Sequence, residues 1–223
     1  MRREITQGIE TAVEGTLRRF NPMIPESIEA MPRNLSAYFL EIGMEGRRVM
    51  VYLSGRSKPE VIDTEDGSDL LPAFPELNNP LSYVSHQNSG LVLDGIVHFK
   101  GGTLREAGMV QTRIAMRDDP PRQGSELDIV RCGIVFSDIL YKNGTKVTSK
   151  PLFERRALLA TVLPEDLQKR LEEIGILPYW DDPRYFETVR HVAKEQGYGR
   201  LYLKRRTSKY TQGPSANWKE LQI

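Results

Sequence analysis

Apolar residues recur at four-residue spacing near the start of the chain. This spacing places them on one face of a helix, so the pattern predicts a helix from about Ile5 to Phe20. The segment from Asn21 to Pro25 contains two prolines, and we expect this connector to end the helix. The apolar positions of the helix are Ile5, Ile9, Val13 and Leu17.

Short runs rich in β-branched and aromatic residues follow the connector. They are separated by turn residues, which is typical of a β-meander. The predicted strands are Ala37–Ile42, Arg48–Leu53, Glu60–Asp63, Leu91–Phe99 and Asp128–Tyr141. Between the strands, Leu70–Leu77 is predicted as a short helical piece interrupted by prolines. Leu104–Met116 is ambiguous but favours a helix, and Asp118–Gly124 is predicted as a mobile loop.

The pattern changes to helix after Pro151. Predicted helices are Phe153–Val162, Pro164–Ile174 and Pro183–Gln196, and proline suits the first turn of the last two. A strand at Arg200–Arg205 precedes a polar loop that leads to Trp218. A β-rich part followed by helices indicates the α+β class.

Composition changes this picture little, but the distribution of charge adds to it. The 223 residues carry a formal net charge of +1, and 39% of them are hydrophobic, as expected of a globular chain. Residues 194–223 contain seven Lys or Arg and two acidic residues, a net +5, which leaves −4 for the rest. A single cysteine excludes an intrachain disulfide. The sequence contains neither a long apolar run nor a signal-peptide pattern, which predicts a cytoplasmic protein with no membrane partner.

The basic C-terminal part is a candidate nucleic-acid surface. Lys204, Arg205, Arg206 and Lys209 lie close together at the end of a strand, and nothing in the chain resembles a base-reading motif. We therefore predict weak, sequence-insensitive contact with phosphates of DNA or RNA. The polar residues at alternate positions of this strand allow two interpretations. They form a face that stacks on bases and contacts phosphates. Alternatively, the strand is amphipathic, with Leu201 and Leu203 inward and the polar face in water. The alternating residues are Tyr198, Arg200, Tyr202, Lys204 and Arg206.

Other chemistry-bearing residues point to structure rather than to a site. The three histidines, His86, His98 and His191, are too far apart in the sequence for metal-ligand spacing, so no metal site is predicted. Asp181 and Asp182 precede Pro183 and are predicted to start a helix. Cys132 is predicted to be a small core residue.

Six short segments after about residue 30 stand in an order that resembles the adenylation (nucleotidyltransferase) domain of ATP-dependent DNA ligases. Glu41–Arg48 is similar to the family's Glu-x-Lys-x-Asp-Gly-x-Arg segment, which carries the nucleophile, and Leu93–Val97 to its Leu-Asp-Gly-Glu strand. The other four are Asp66–Leu70 with Phe74–Leu77, Phe136–Gly144, Pro151–Arg156, and Leu201–Arg205 leading through Ser208–Tyr210 to Trp218.

The resemblance fails at the residues that the family's chemistry requires. The family attacks the α-phosphate of ATP with a lysine amine, and Gly43 stands in that position, although Glu45, Gly46 and Arg48 keep the frame. Ile96 replaces the glutamate of Leu-Asp-Gly-Glu, while Asp94 remains. The other degenerate positions are Ser137 for an adenine-packing Phe, Gly199 for a carboxylate, and Glu220 and Gln222 for two lysines, so that only Lys204 matches a phosphate-contacting lysine.

Two residues are candidates to replace the lost groups. Phe136 would pack on adenine if the alignment slipped by one residue, although strand alternation would then turn it to the other face. Lys194 begins a Lys-x-x-Gly pattern, but it ends a predicted helix far along the chain from Glu41.

The resemblance implies an α+β nucleotidyltransferase (ATP-grasp-like DNA ligase adenylation) fold with two antiparallel sheets and peripheral helices. It also implies a single domain over residues 1–223, with no OB-fold domain. Active members use ATP and Mg²⁺, but the missing groups predict no catalytic residue and no cofactor here. Three functions stay open: an inactive binding module for nucleic acid or a repair partner, an active nucleotidyltransferase with an unrecognised nucleophile, and a structural subunit of an active ligase.

Overall fold

The structure, a computed structural model, describes residues 21–55, 57–99, 103–117 and 132–223, without the side chains of residues 104–107. The predicted helix Ile5–Phe20 and the predicted loop Asp118–Gly124 lie outside the described residues. No helix in the described ranges is long and apolar enough to cross a membrane.

The described elements begin with four strands, and strands and helices are mixed along the rest of the chain. In chain order they are β1 (Met23–Ile28), β2 (Tyr38–Gly43), β3 (Arg47–Leu53), β4 (Glu60–Asp63), α1 (Asn78–Gln87), β5 (Leu91–Phe99), α2 (Leu104–Ala115), β6 (Cys132–Lys142), β7 (Thr145–Lys146), α3 (Leu152–Val162), α4 (Glu165–Arg170), β8 (Ile174–Ile176), α5 (Phe186–Glu195), β9 (Arg200–Arg205) and β10 (Gly213–Gln222). Short 3₁₀ turns occur at Leu35–Ala37, Leu71–Ala73, Pro75–Leu77 and Pro183–Tyr185.

The strands form two sheets. The first has the order β1-β10-β9-β2, and the second has the order β4-β3-β5-β6-β7, with β8 also beside β6. Pairing is antiparallel except for β1 with β10 and β6 with β8. The α+β class and the two-sheet architecture with outer helices are therefore confirmed.

Three apolar clusters hold these layers together. Alternate residues of β3 show how one strand serves two of them: Val49, Val51 and Leu53 face the cluster under helices α1 to α3, whereas Met50 and Tyr52 face a smaller cluster with Trp218 and Met23. The third cluster lies between the first sheet and α5, where Leu201 and Leu203 are fully buried. Cys132 is buried in the first cluster, as predicted, and burial raises the pKa of its thiol to about 12.

Local patterning located most strands, and tertiary pairing explains the differences. Strand β1 occupies part of the predicted connector Asn21–Pro25, because Met23 is buried between the sheets and β1 pairs with β10. The predicted polar loop before Trp218 ends at Gly213, where strand β10 begins and pairs first with β1 and then with β9. The predicted helix Pro164–Ile174 ends at Arg170, since Ile174 begins β8 beside β6. Helix α1 was not predicted.

The remaining helical segments agree with the sequence. Leu104–Met116 contains α2, and Leu70–Leu77 contains two 3₁₀ turns, as its prolines suggested. Asp182 starts the predicted helix by accepting the Arg184 backbone N–H at 3.0 Å, which gives a 3₁₀ turn that continues into α5.

Candidate functional site

A cleft forms where the chain passes from the first sheet to the second. Strand β2 belongs to the first sheet and β3 to the second, so the short connection between them bridges both layers. Gly46 is required there, because a Cβ atom would come within 2.2 Å of the Val97 carbonyl oxygen. The cleft has a cavity of about 180 Å³ lined by residues of both sheets.

The structure brings most of the sequence-predicted pocket positions together in this cavity. The lining includes Glu45, Gly46, Arg48, Ile96, Ser137 and Lys204. Gly43 is buried next to Arg200, and Gly199 is not among the lining residues; its carbonyl accepts the Ile223 N–H at 3.1 Å. The resemblance therefore located a real cleft, although it did not identify the groups that fill it.

A guanidinium–carboxylate pair spans the floor of the cleft. Arg48 Nε and Nη2 donate to the two oxygens of Asp94 at 3.0 and 2.6 Å, and Arg48 Nη1 donates to the Met23 carbonyl at 2.8 Å. The Tyr210 hydroxyl donates to Asp94 at 2.6 Å and accepts the Met23 N–H at 3.1 Å. This network ties β1, β3, β5 and the loop before β10 into one unit.

The pKa shifts in this network follow from burial and pairing. Burial opposes the charged form of Asp94, but the Arg48 guanidinium outweighs it and holds the pKa of the carboxyl below its usual value. Burial likewise acts against the charge of Arg48, and Asp94 raises its pKa above the usual value. Burial and the Asp94 charge raise the pKa of Tyr210 well above 10. Asp94 is thus ionised, and Arg48 and Tyr210 already donate hydrogen bonds to its carboxylate oxygens.

A second ion pair fills the wall of the cleft. Lys204 Nζ lies 2.7 Å from Glu41 Oε2 and 4.1 Å from the centre of the Trp218 ring. Arg156 lies 3.6 Å from the other oxygen of Glu41. Neither oxygen of Glu41 has a hydrogen-bond partner among the described residues, but both contacts join opposite charges in a site where Glu41 is fully buried.

Arg200 fills the space beside the position where the family has its nucleophile. Gly43 pairs with Arg200 across β2 and β9, and a Cβ atom on Gly43 would lie 2.1 Å from Arg200 Cγ. The Arg200 guanidinium then continues to Glu45, where Nε and Nη2 donate to Oε1 at 3.0 and 2.9 Å. The glycine therefore allows the arginine of the neighbouring strand to cross it and pair with Glu45.

Two further positions confirm how far the pocket departs from the family pattern. Ser137 lines the cavity, whereas Phe136 is fully buried in the cluster under the helices, so the one-residue slip does not place an aromatic ring here. Ile96 lines the cavity without a polar group. Among the described residues, no group of three or more His, Cys, Asp or Glu could hold a metal ion.

The cleft is small, and the basic side chains in it are already paired. The cavity of about 180 Å³ is smaller than the roughly 300 to 1,000 Å³ of most ligand pockets. The basic side chains among its described lining residues are Arg48, Arg200 and Lys204, and each is already paired with a carboxylate. A triphosphate would therefore meet no free cation in this part of the cleft.

The predicted nucleic-acid set divides between this cleft and the surface. Lys204 is only 4% exposed and faces the cavity, which corrects its assignment to a phosphate-binding surface. The predicted alternation of polar and apolar residues along β9 was correct. Tyr202 and Lys204, however, face the cleft rather than water or a bound nucleic acid at the surface. Burial and Glu220 raise the pKa of Tyr202 to about 12. Arg205 and Lys209 are exposed and Arg206 is half-buried.

Two other concavities contain none of the degenerate nucleotide-pocket positions. One of them, about 670 Å³, is open and lies beside α1, with Glu76, Tyr83, Arg113 and Glu173 in its lining. Its charged groups Arg113 and Glu76 pair with each other at 2.8 Å. We therefore assign the candidate site to the smaller cleft between the sheets.

The fold and the cleft together define a nucleotidyltransferase domain of the kind that DNA ligases use for adenylation. The model of the ATP dependent DNA ligase domain matches residues 22–221, and the chain belongs to this family. A search of the curated proteins found no significant match.

Solved ligase structures share the fold at low sequence identity. A mycobacterial DNA ligase D complexed with ATP and MES has a TM-score of 0.68 and 19% identity, covering 92% of this chain and 60% of that one. The ligase domain of ligase D from M. tuberculosis gives 0.63 and 18%, covering 91% and 59%. The ATP-dependent DNA ligase of bacteriophage T7 in complex with ATP gives 0.63 and 15%, covering 91% and 68%. The chain thus spans about three fifths of the two ligase D chains.

The packing of Arg200 on Gly43 predicts an energetic coupling between the two positions. Gly43→Ala should destabilise the protein by about 1 to 3 kcal/mol, because the new methyl group overlaps Arg200 Cγ. Arg200→Ala removes that overlap but leaves Glu45 without its partner. In a double-mutant cycle measured by urea unfolding, we expect the two changes to be non-additive by at least about 0.5 kcal/mol.

Gly108→Ala is the matched control, since a Cβ atom there meets nothing within 4 Å. It lies within helix α2, where alanine should be neutral or stabilising by up to about 1 kcal/mol. Additive effects of Gly43→Ala and Arg200→Ala would contradict the described packing.

Proposed function

We propose that this chain is a catalytically inactive DNA-ligase-like protein that acts as a nucleic-acid-binding module in DNA repair. The observation that carries the proposal is the crossing of Arg200 over Gly43. A lysine at position 43 has no room for its side chain while Arg200 is paired with Glu45. Gly43 thus supplies no nucleophile, and Arg200 uses the space beside it for its pair with Glu45.

The charges of the cleft support the same conclusion. Transfer of a nucleotide to the lysine requires cations that neutralise phosphate oxygens and a hard-cation site for the metal. Here the cations that line the described cavity neutralise Asp94, Glu45 and Glu41 instead. Breaking one of these pairs to bind phosphate would leave a buried carboxylate uncompensated, at a cost of about 3 to 5 kcal/mol.

The surface cations support the binding role. Arg205, Arg206 and Lys209 form no ion pair with any described residue, in contrast to the three cations of the cleft. Unpaired cations remain free to replace the counterions of a phosphate backbone. No recognition helix accompanies them in the part of the chain that the structure describes, so we expect binding to depend on phosphate contacts and to be insensitive to base sequence.

The first test asks whether the chain forms a covalent adenylate. The protein is incubated with labelled ATP and a divalent metal and then separated by denaturing electrophoresis, with an active ATP-dependent DNA ligase as the positive control. We expect no labelled band from the parent, because no amine is present at Gly43. Gly43→Lys alone should also stay unlabelled, since Ile96 cannot ligate the metal and Arg200 occupies the space that the lysine needs.

A stepwise series makes this result informative even if Gly43→Lys unfolds. The variant Gly43→Lys/Arg200→Ala removes the steric overlap, and addition of Ile96→Glu supplies the missing carboxylate. Circular dichroism establishes that each variant is folded. A labelled band from the parent or from Gly43→Lys would refute the proposal of an inactive site.

The second test measures nucleic-acid binding as a function of salt. With Lys204 buried, three cations remain, and three phosphate contacts predict a slope of log affinity against log salt of roughly −2.7 on a nicked duplex. Arg206→Ala/Lys209→Ala should change the slope to roughly −0.9. The readout is the fluorescence anisotropy of a labelled nicked duplex across a salt series.

The matched control removes two exposed lysines elsewhere, Lys169→Ala/Lys194→Ala, on helices α4 and α5. These changes should leave the slope close to that of the parent. No detectable binding at low salt would contradict the nucleic-acid role, and an unchanged slope in Arg206→Ala/Lys209→Ala would contradict this location.

A further inference from the structure

Two exposed aromatic rings are linked by contacts to the arginines at the end of β9, one directly and one through a buried ring. Phe153 is 47% exposed and Tyr179 is 41% exposed. Phe153 lines an open concavity of about 530 Å³ together with Arg205 and Arg206. We call Phe153, Tyr179, Arg205 and Arg206 the aromatic–arginine surface.

Contacts through a buried ring join the two halves of this surface. The Arg206 guanidinium lies over the Phe39 ring, with its Cζ 5.0 Å from the ring centre. The Tyr179 ring contacts the same Phe39 ring at 4.4 Å between centroids. Phe39 itself is only 2% exposed, so it supports Arg206 and Tyr179 from below. Phe39 therefore links Arg206 to Tyr179, and the Phe153 N–H donates to the Arg206 carbonyl at 3.1 Å.

The charges of this surface favour an anionic partner. Neither Arg205 nor Arg206 has an ion pair with a described residue, and no carboxylate is among the described residues that line the concavity. Glu154, the acidic residue next to Phe153 in the sequence, pairs with Lys150 at 2.9 Å. A protein surface that leaves arginines unpaired beside exposed rings is suited to a ligand that carries both phosphates and flat aromatic groups.

We propose that the aromatic–arginine surface binds single-stranded DNA, with bases stacked on Phe153 and Tyr179 and phosphates against Arg205 and Arg206. In a duplex the bases stack on each other and only their edges are accessible in the grooves, so exposed protein rings gain little from it. An unpaired strand offers its base faces and its phosphates together. This inference rests on the proposed nucleic-acid role and names the form of nucleic acid that the module recognises.

The test compares anisotropy of a labelled single strand of about 16 nucleotides with that of a blunt duplex of the same sequence. The single strand should bind at least about tenfold more tightly. Phe153→Leu/Tyr179→Leu keeps apolar cover over Phe39 but removes both rings, so it should weaken single-strand binding about tenfold or more without changing the salt slope. Arg205→Gln/Arg206→Gln should instead reduce the slope by about 1.4, from about 0.7 per phosphate on a single strand.

Tyr83→Leu is the matched control, because Tyr83 is also an exposed tyrosine, 38% exposed, but lines the separate concavity beside α1. It should leave single-strand binding unchanged. Equal affinity for strand and duplex, no effect of Phe153→Leu/Tyr179→Leu, or tighter binding of an RNA strand of the same sequence would each overturn the inference. Duplex binding without a preference for the single strand would overturn this inference but leave the proposed function intact. Binding to neither nucleic acid would refute the inference and the proposed function together.

Discussion

The requirement that every buried charge be paired organises this molecule. Arg48 joins Asp94 at the floor of the cleft, and Arg200 joins Glu45 beside the position of the family's nucleophile. An isolated ion between two sheets would cost several kcal/mol, so these pairs cannot be opened without a replacement for each partner. In the proposed function, these pairs take the place of a charged ligand in the cleft and connect the two sheets. Cations outside the cleft, such as Arg205, carry no such constraint and remain available to phosphates.

Local sequence signals predicted the strands well where one face of the chain is consistently apolar. Strands β4, β5 and β9 have the predicted bounds, because their apolar and polar positions follow the sheet directly. Strand β10 contains the polar sequence Ser-Ala-Asn before Trp218, so only its pairing with β9 and β1 makes it a strand. Helix α1 begins with two asparagines and a proline, a composition that favours a turn, and its burial on the second sheet decides its conformation.

The site was predictable in its location but not in its contacts. Family-like segments placed Glu45, Arg48 and Ile96 in one pocket, and the missing lysine at Gly43 was visible in the sequence. Alternation along β9 separated Leu203 from Lys204, yet it could not tell whether the polar face meets water or a second sheet. The role of Arg200 was missed, since it depends on the register between β2 and β9. In the β2–β9 register, Gly43 stands opposite Arg200. A glycine opposite a long basic residue was therefore the signal for this contact, but it can be recognised only once the register is known.

The central claim is that internal ion pairs occupy the cleft, and equilibrium binding of nucleotide tests it most directly. A ligand present at a hundredfold excess over its Kd stabilises a folded protein by about 2.7 kcal/mol, which raises the Tm by several degrees in a chain of this size. Thermal unfolding should be followed with increasing concentrations of ATP and Mg²⁺. We predict a Tm that does not change with nucleotide, because Arg48, Arg200 and Lys204 stay with their carboxylates. A saturable rise in Tm that depends on both ATP and the metal would contradict the account.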